Sequence, residues 1–195
     1  MIRTATLERT THETRIKVNV NLDGAGTSKI ATGLGFLDHM LDSFAKHGRF
    51  DLTLEVSGDL QVDDHHTVED TAIALAGAFD KALGKRSGIE RFGEAHVAMD
   101  ESLVRCVIDI SGRPAPAIAL ELKREKIGDV SCENIKHFFR SFATTLRCTL
   151  HLDTLRGTND HHKAEAAFKA FARALRMGTR LSEFDDVPST KGTIQ

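Results

Sequence analysis

Apolar and polar residues alternate along this chain at two different periods, and the period changes several times. Ile16, Val18, Val20 and Leu22 alternate with polar neighbours, the period of a half-buried strand. Asp23-Gly24 follows as a turn pair. Phe36, Leu37, Met40, Leu41 and Phe44 then recur at helical spacing and predict a helix over 36–47. Leu52, Leu54 and Val56 return to strand alternation. The stretch 67–83 is apolar at helical intervals, with Gly84 behind it as a C-cap. The later chain runs through the same succession. A strand is expected over 104–110, a helix over about 133–145, a strand over about 146–152, and a helix over about 161–177 closed by Gly178. Pro114 and Pro116 mark an irregular or edge segment. The closing FDDVPSTKGTIQ has turn residues and no period.

This succession is an internal repeat. ETRIKVNVNLDG, from Glu13, aligns without gaps on ESLVRCVIDISG, from Glu101. LDHMLDSFA, holding His39, aligns on IKHFFRSFA, holding His137, and DHHTVED aligns on DHHKAEA. Three blocks recurring in one order indicate duplication. The expected architecture is α+β and internally duplicated, two similar halves each with a β-sheet packed on helices. Residues 1–90 form the first half-repeat and 91–195 the second with its tail, together one compact unit.

Composition narrows the class. A chain of 195 residues buries roughly 70% of its unfolded surface and needs no staples. The net charge of −2 gives no footprint for nucleic acid or an anionic membrane. The start MIRTATLERTTHETRIKV has no apolar core of a secretory signal, and the longest nearly apolar run, Ala72 to Phe79, is far short of a membrane span. Cys106, Cys132 and Cys148 are odd in number and lack CxxC spacing. They read as buried or free thiols of a reducing compartment, hence a cytoplasmic location. Trp and Tyr are absent, and against that plain background stand ten histidines.

Six of the ten are matched by the repeat, in positions that suit metal binding. On a helix, His65 lies one turn from Glu69 and His66 lies three residues from it. His161, His162 and Glu165 repeat the arrangement, and His39 and His137 recur upstream. Adjacent helical residues point about 100° apart, so the two members of each pair face different ions. The set of six His and two Glu suffices for two nitrogen-rich sites of about four ligands each. A single HH pair at a helix start is more often a surface feature, with Asp64 or Asp160 as a plain N-cap; the second copy shifts the balance to metal. How the six divide between the ions is open at this stage. The alternatives are a metal-dependent hydrolase and a metal-storage protein, the latter disfavoured because storage sites are carboxylate-rich.

FLDHML, HGRFDL, DDHHTVED, RFG, DISGRP, HFFRSF, NDHHKAEAAFKAFARALR and PSTKG together resemble the imidazoleglycerol-phosphate dehydratase family, from about Arg9 to Gly192. The resemblance implies a monofunctional hydro-lyase of histidine biosynthesis. It would convert imidazole glycerol phosphate to imidazole acetol phosphate through a metal-stabilised imidazolate. It further implies two Mn2+ ions per active site, and sites where subunits meet in a homo-oligomer of 24 chains. An imidazole-rich donor set would not by itself select manganese. By the same resemblance Glu13 is the acid/base, although Glu101 is its repeat partner and duplication cannot choose between them. Arg91, Arg113, Ser189 and Lys191 match phosphate-binding positions, guanidinium forks being suited to phosphate. Lys169 is placed to reach the substrate and His47 to line the site.

Overall fold

The computed structural model describes residues 3–194. In the first half, β1 (Thr4–Thr10), β2 (Thr14–Asn21), β3 (Ser28–Ala31), α1 (Gly35–Gly48), β4 (Asp51–Gly58) and α2 (His65–Leu83) follow one another. The second half repeats the order with β5 (Phe92–Met99), β6 (Ser102–Asp109), β7 (Ala115–Ala119), a short hairpin of β8 (Lys126–Ile127) and β9 (Val130–Ser131), α3 (Cys132–Leu146), β10 (Thr149–Arg156) and α4 (Asp160–Thr179). The two four-stranded sheets have equivalent orders, β1-β2-β4-β3 and β5-β6-β10-β7. In each the edge strand β3 or β7 runs parallel to its neighbour and the other pairs are antiparallel. The α+β architecture with two similar halves is therefore present as expected. The β8–β9 hairpin is the chief asymmetry and lengthens the path from β7 to α3.

The strands carried by strict alternation are half buried, as β2 shows with Ile16, Val18 and Val20 all inward. Sequence periodicity misses β1, β3 and β5, in which few side chains are buried. Pro116 lies in β7, the edge strand, where a missing N–H costs no ladder bond. Gly84 caps α2 at φ +57°. Gly178 does not close its helix. It sits inside α4, where a Cβ would crowd the backbone of Arg91, and α4 runs on to Thr179. The strand expected from 146 begins at Thr149 instead, because Arg147 turns out of α3 in the left-handed region.

α2 lies on the first sheet and packs against α3 of the second half, while α4 lies on the second sheet and packs against α1 of the first. The halves thus exchange helices across one continuous core. Phe44, Phe50, Phe79, Phe138, Phe139, Phe142, Phe168 and Phe171 fill its centre, each at most 1% exposed, with ring centroids of neighbours 4.7–6.5 Å apart. Such aromatic clusters dominate core energetics. Carboxylates stitch the halves together. Asp129 accepts from the backbone N–H groups of Gly35 and Phe36 and so caps α1, whose own N-cap Leu34 has no side-chain acceptor. Asp64 accepts across the halves from the Ser131 N–H and hydroxyl, while Asp160 accepts within the second half from the N–H groups of Lys123 and Arg124, so neither is a plain N-cap. Asn159 caps α4. No helix of the described residues is long and apolar enough to cross a membrane.

Candidate metal centre and active site

Because α1 packs on α4 and α3 on α2, each upstream histidine meets the HHxxE block of the other half. His39 Nε2 is 3.4 Å from Glu165 Oε2, and His161 Nε2 is 3.2 Å from the same atom. Across the molecule, His137 Nε2 lies 3.0 Å from Glu69 Oε1 and His65 Nε2 lies 3.7 Å from Glu69 Oε2, with the two rings stacked at 5.0 Å. In each trio one ligand atom per residue falls within 4.8 Å of the others. Three groups of each expected four-ligand set therefore come together in one chain. His66 and His162 stand apart, turned to another face of their helices.

All six histidines nonetheless share one orientation: each turns Nε2 toward a carboxylate. For three of them the other ring nitrogen is held by an oxygen. His65 Nδ1 is 2.9 Å from Asn134 Oδ1, His66 Nδ1 is 2.9 Å from Asp59 Oδ2, and His162 Nδ1 is 2.7 Å from Glu101 Oε2. Such an acceptor fixes the ring and leaves Nε2 free as a donor to a metal. The donor set therefore fits divalent ions. Asp59, Asn134 and Glu101 are the residues that linear reading of the sites misses. Only Glu101 is signalled in the sequence, by its repeat match to Glu13.

Electrostatics follow from these contacts. The hydrogen bond to Asp59 pushes His66 up from its ordinary value, and Glu101 does the same for His162. Burial works to raise Glu165, but Lys169, 2.7 Å away, and then His39 together outweigh it and hold the carboxyl below the usual range. Glu101 is held lower still, first by the Asn159 N–H and then by His162 and the Thr158 N–H.

The two repeat-related glutamates differ sharply. The β5–β6 turn closes with only Asp100 and Glu101 between paired Met99 and Ser102. Glu101 accepts there from the Thr158 and Asn159 N–H groups and from the Ser102 hydroxyl, besides facing His162. The β1–β2 turn has four residues between paired Thr10 and Arg15. It is held to α2 where Arg9 and Thr14 donate to Asp70, each at 2.5 Å. Glu13 projects from it into an open cleft of about 390 Å³, half exposed, 3.6 Å from His66 Nε2. Glu101 is consumed by structure, whereas Glu13 is unencumbered.

Of the remaining expected site residues, Lys169 reaches the cluster itself, 2.7 Å from Glu165, and His47, in the last turn of α1, lines a cavity with Arg173 of α4. Arg91 does not. Its guanidinium forks onto Asp109 at 2.7 and 3.0 Å and donates to the Pro188 carbonyl at 2.7 Å. Asp109 raises its already high pKa. Arg113 is exposed just past β6, and Ser189 and Lys191 lie in the tail, which the Gly88 N–H to Asp186 carbonyl bond ties down. This Arg91 end is the opposite end of the β5–β6 hairpin from Asp100, which faces His162. Phe92 and Met99, the two ends of β5, are seven residue steps apart, about 23 Å at roughly 3.3 Å per residue.

The chain matches the family model described as imidazoleglycerol-phosphate dehydratase over residues 32–175. It is 53% identical over 192 residues to the imidazoleglycerol-phosphate dehydratase of Chlorobium chlorochromatii, covering 98% of this chain and 97% of that one. It is 54% identical over 193 residues to the protein of that name from Phytophthora nicotianae, covering 99% of this chain but 43% of the longer relative. The crystal structure of the Pyrococcus furiosus protein, in complex with (S)-C348, superposes with a TM-score of 0.84 at 37% identity, covering 96% of this chain and 99% of that one.

Proposed function

The chain belongs to the imidazoleglycerol-phosphate dehydratase family, and from that premise we propose that it dehydrates imidazole glycerol phosphate to imidazole acetol phosphate in histidine biosynthesis. One observation carries the reading: two quasi-equivalent His/Glu clusters, with every repeat-matched imidazole presenting Nε2. His39, His161 and Glu165 would hold one divalent ion and His65, Glu69 and His137 another, two Mn2+ ions in keeping with the resemblance. When bound, such ions supply the Lewis acidity that favours the deprotonated form of an imidazole ring, the electron sink this elimination needs because the departing proton is not next to a carbonyl.

The rest of the chemistry falls to the chain's own side chains. Glu13 Oε1 moves the proton, and its freedom from other hydrogen bonds supports that role over Glu101. Lys169 orients Glu165 and offers a cation to the phosphate end. Arg91, Arg113, Ser189 and Lys191 take the phosphate from a neighbouring subunit. Support for that assembly is the distance of about 23 Å along β5–β6, which a small substrate does not span. His66 and His162, with Nε2 free and Nδ1 anchored, are then the ligands given to a neighbour's cluster, completing four-ligand sites at subunit interfaces of a 24-chain assembly. Exposed Phe92 and Phe184, at 56% and 70%, supply apolar surface for such contacts. Three buried free cysteines suit a reducing cytoplasm. The test is to incubate manganese-loaded protein with imidazole glycerol phosphate and assay the ketone product. Turnover is expected, and its absence in an intact assembly overturns the reading.

A further inference from the structure

Past the His39–His161–Glu165 cluster, the groove between α1 and α4 opens into a cavity of about 420 Å³. His47, Arg49, Arg173, Arg176 and Arg180 line it, with Glu94 as the one carboxylate. Arg176 has a structural task, donating to the Gly48 carbonyl at the C-terminus of α1, where a cation suits the helix dipole. Arg49 donates weakly to the Ala25 carbonyl, at 3.4 Å. Among the described residues, Arg173 and Arg180 are exposed and have no ion-pair or side-chain hydrogen-bond partner. Burial and then the neighbouring Arg180 and Arg49 push Arg176 down; burial and then Lys169 and Arg173 push His47 down. Like charges converging in a concavity focus a positive potential. Arg173 is one turn from Lys169, which is itself one turn from Glu165, so the basic trough runs directly into the metal cluster.

We propose that this trough is an anion-capture subsite, separate from the Arg91–Ser189–Lys191 clamp, which takes the phosphate group of the incoming substrate and passes it along Lys169 toward the metal cluster. The identity of that substrate rests on the function proposed above; the affinity for a phosphate dianion does not. Guanidinium groups pair with phosphate through parallel N–H donors. Electrostatic capture of this kind raises association rates by tenfold or more and weakens as salt rises.

The experiment uses the intact, metal-loaded assembly and the double variant Arg173→Gln/Arg180→Gln, in which no packed side chain is lost. Calorimetric titration with inorganic phosphate at low ionic strength is expected to show two classes of site per chain in the parent and one in the variant. With imidazole glycerol phosphate, kcat/KM is expected to fall about tenfold at low salt with kcat held, the gap closing at high salt. Equal phosphate stoichiometry in the two proteins, or equal kcat/KM at low salt, overturns the proposal. Loss of assembly in the variant without loss of a phosphate site also overturns it, by showing that the trough faces a second copy of the chain. If the parent protein turns nothing over, the dehydratase reading fails while the phosphate count still decides the subsite.

Discussion

Duplication brought two copies of one glutamate, and local geometry gave them different work. Glu101 is saturated by hydrogen-bond donors in a two-residue turn, while Glu13 sits in a turn two residues longer and, among the described residues, its carboxylate has one ion-pair contact, His66 at 3.6 Å. Glu13→Gln is expected to keep fold and bound metal but to lose roughly 10²–10⁴-fold in kcat. Glu101→Gln is expected to lower the thermal midpoint and weaken metal binding, because it slackens both the start of α4 and the His162 ring. Calorimetry, metal analysis and product assay on the two variants separate these roles; equal behaviour would refute the division. Asp51 gives a residue-scale effect that depends on pH. The Thr27 hydroxyl and the N–H groups of Ala25, Gly26 and Thr27 all donate to it, holding its carboxyl at about 2 against an ordinary 3.8. A depressed carboxyl stabilises the fold above the unfolded value and loses that contribution as pH falls through the folded one. Acid unfolding of Asp51→Asn should therefore be less steep than that of the parent between about pH 4 and pH 2.

At the scale of elements, legibility in the sequence followed burial. Strands β2, β4, β6 and β10 and all four helices were readable because one face of each is inside, and the core enforces the period. β1 and β3 were not, since Thr4–Thr10 and Ser28–Ala31 bury little and are held by ladder bonds that leave no trace in side-chain pattern. The repeat singles out six histidines, and the structure brings four of them together in two clusters with Glu165 and Glu69, a partition the sequence does not show. The repeat matched His39 to His137, yet only the crossing of α1 onto α4 and of α3 onto α2 pairs each with the opposite half. That crossing depends on close approach at α4. A Cβ on Gly93 of β5 would fall onto the backbone of Ala174 and Gly178, which cannot move aside as a flexible side chain would. Gly93→Ala is expected to destabilise the protein by about 3 kcal/mol, the upper end for overpacking. Urea unfolding measures it, and a shift below about 0.5 kcal/mol, ordinary for a surface site, would contradict the packing.

For the whole molecule, the decisive fact is separation. Met99 pairs with Ser102 beside the His162 end of the β5–β6 hairpin, and Phe92 pairs with Asp109 beside the Arg91 end. With about 23 Å between them, His162 and Arg91 of one chain cannot grip one small substrate. If both serve catalysis, they serve it in different sites, each completed by other copies. Assembly would then be a condition of activity, and inactive chains should repair one another. His162→Ala and Arg91→Ala are each expected to be inactive alone. Mixed, dissociated by chelation and reassembled with Mn2+, they should regain a measurable fraction of parental activity, because some sites then draw intact His162 from one variant and intact Arg91 from the other. Recovery should track the fraction of mixed assemblies. A mixture that reassembles to full size yet stays inactive would mean that each chain holds a complete site, and the interface reading would fall with it.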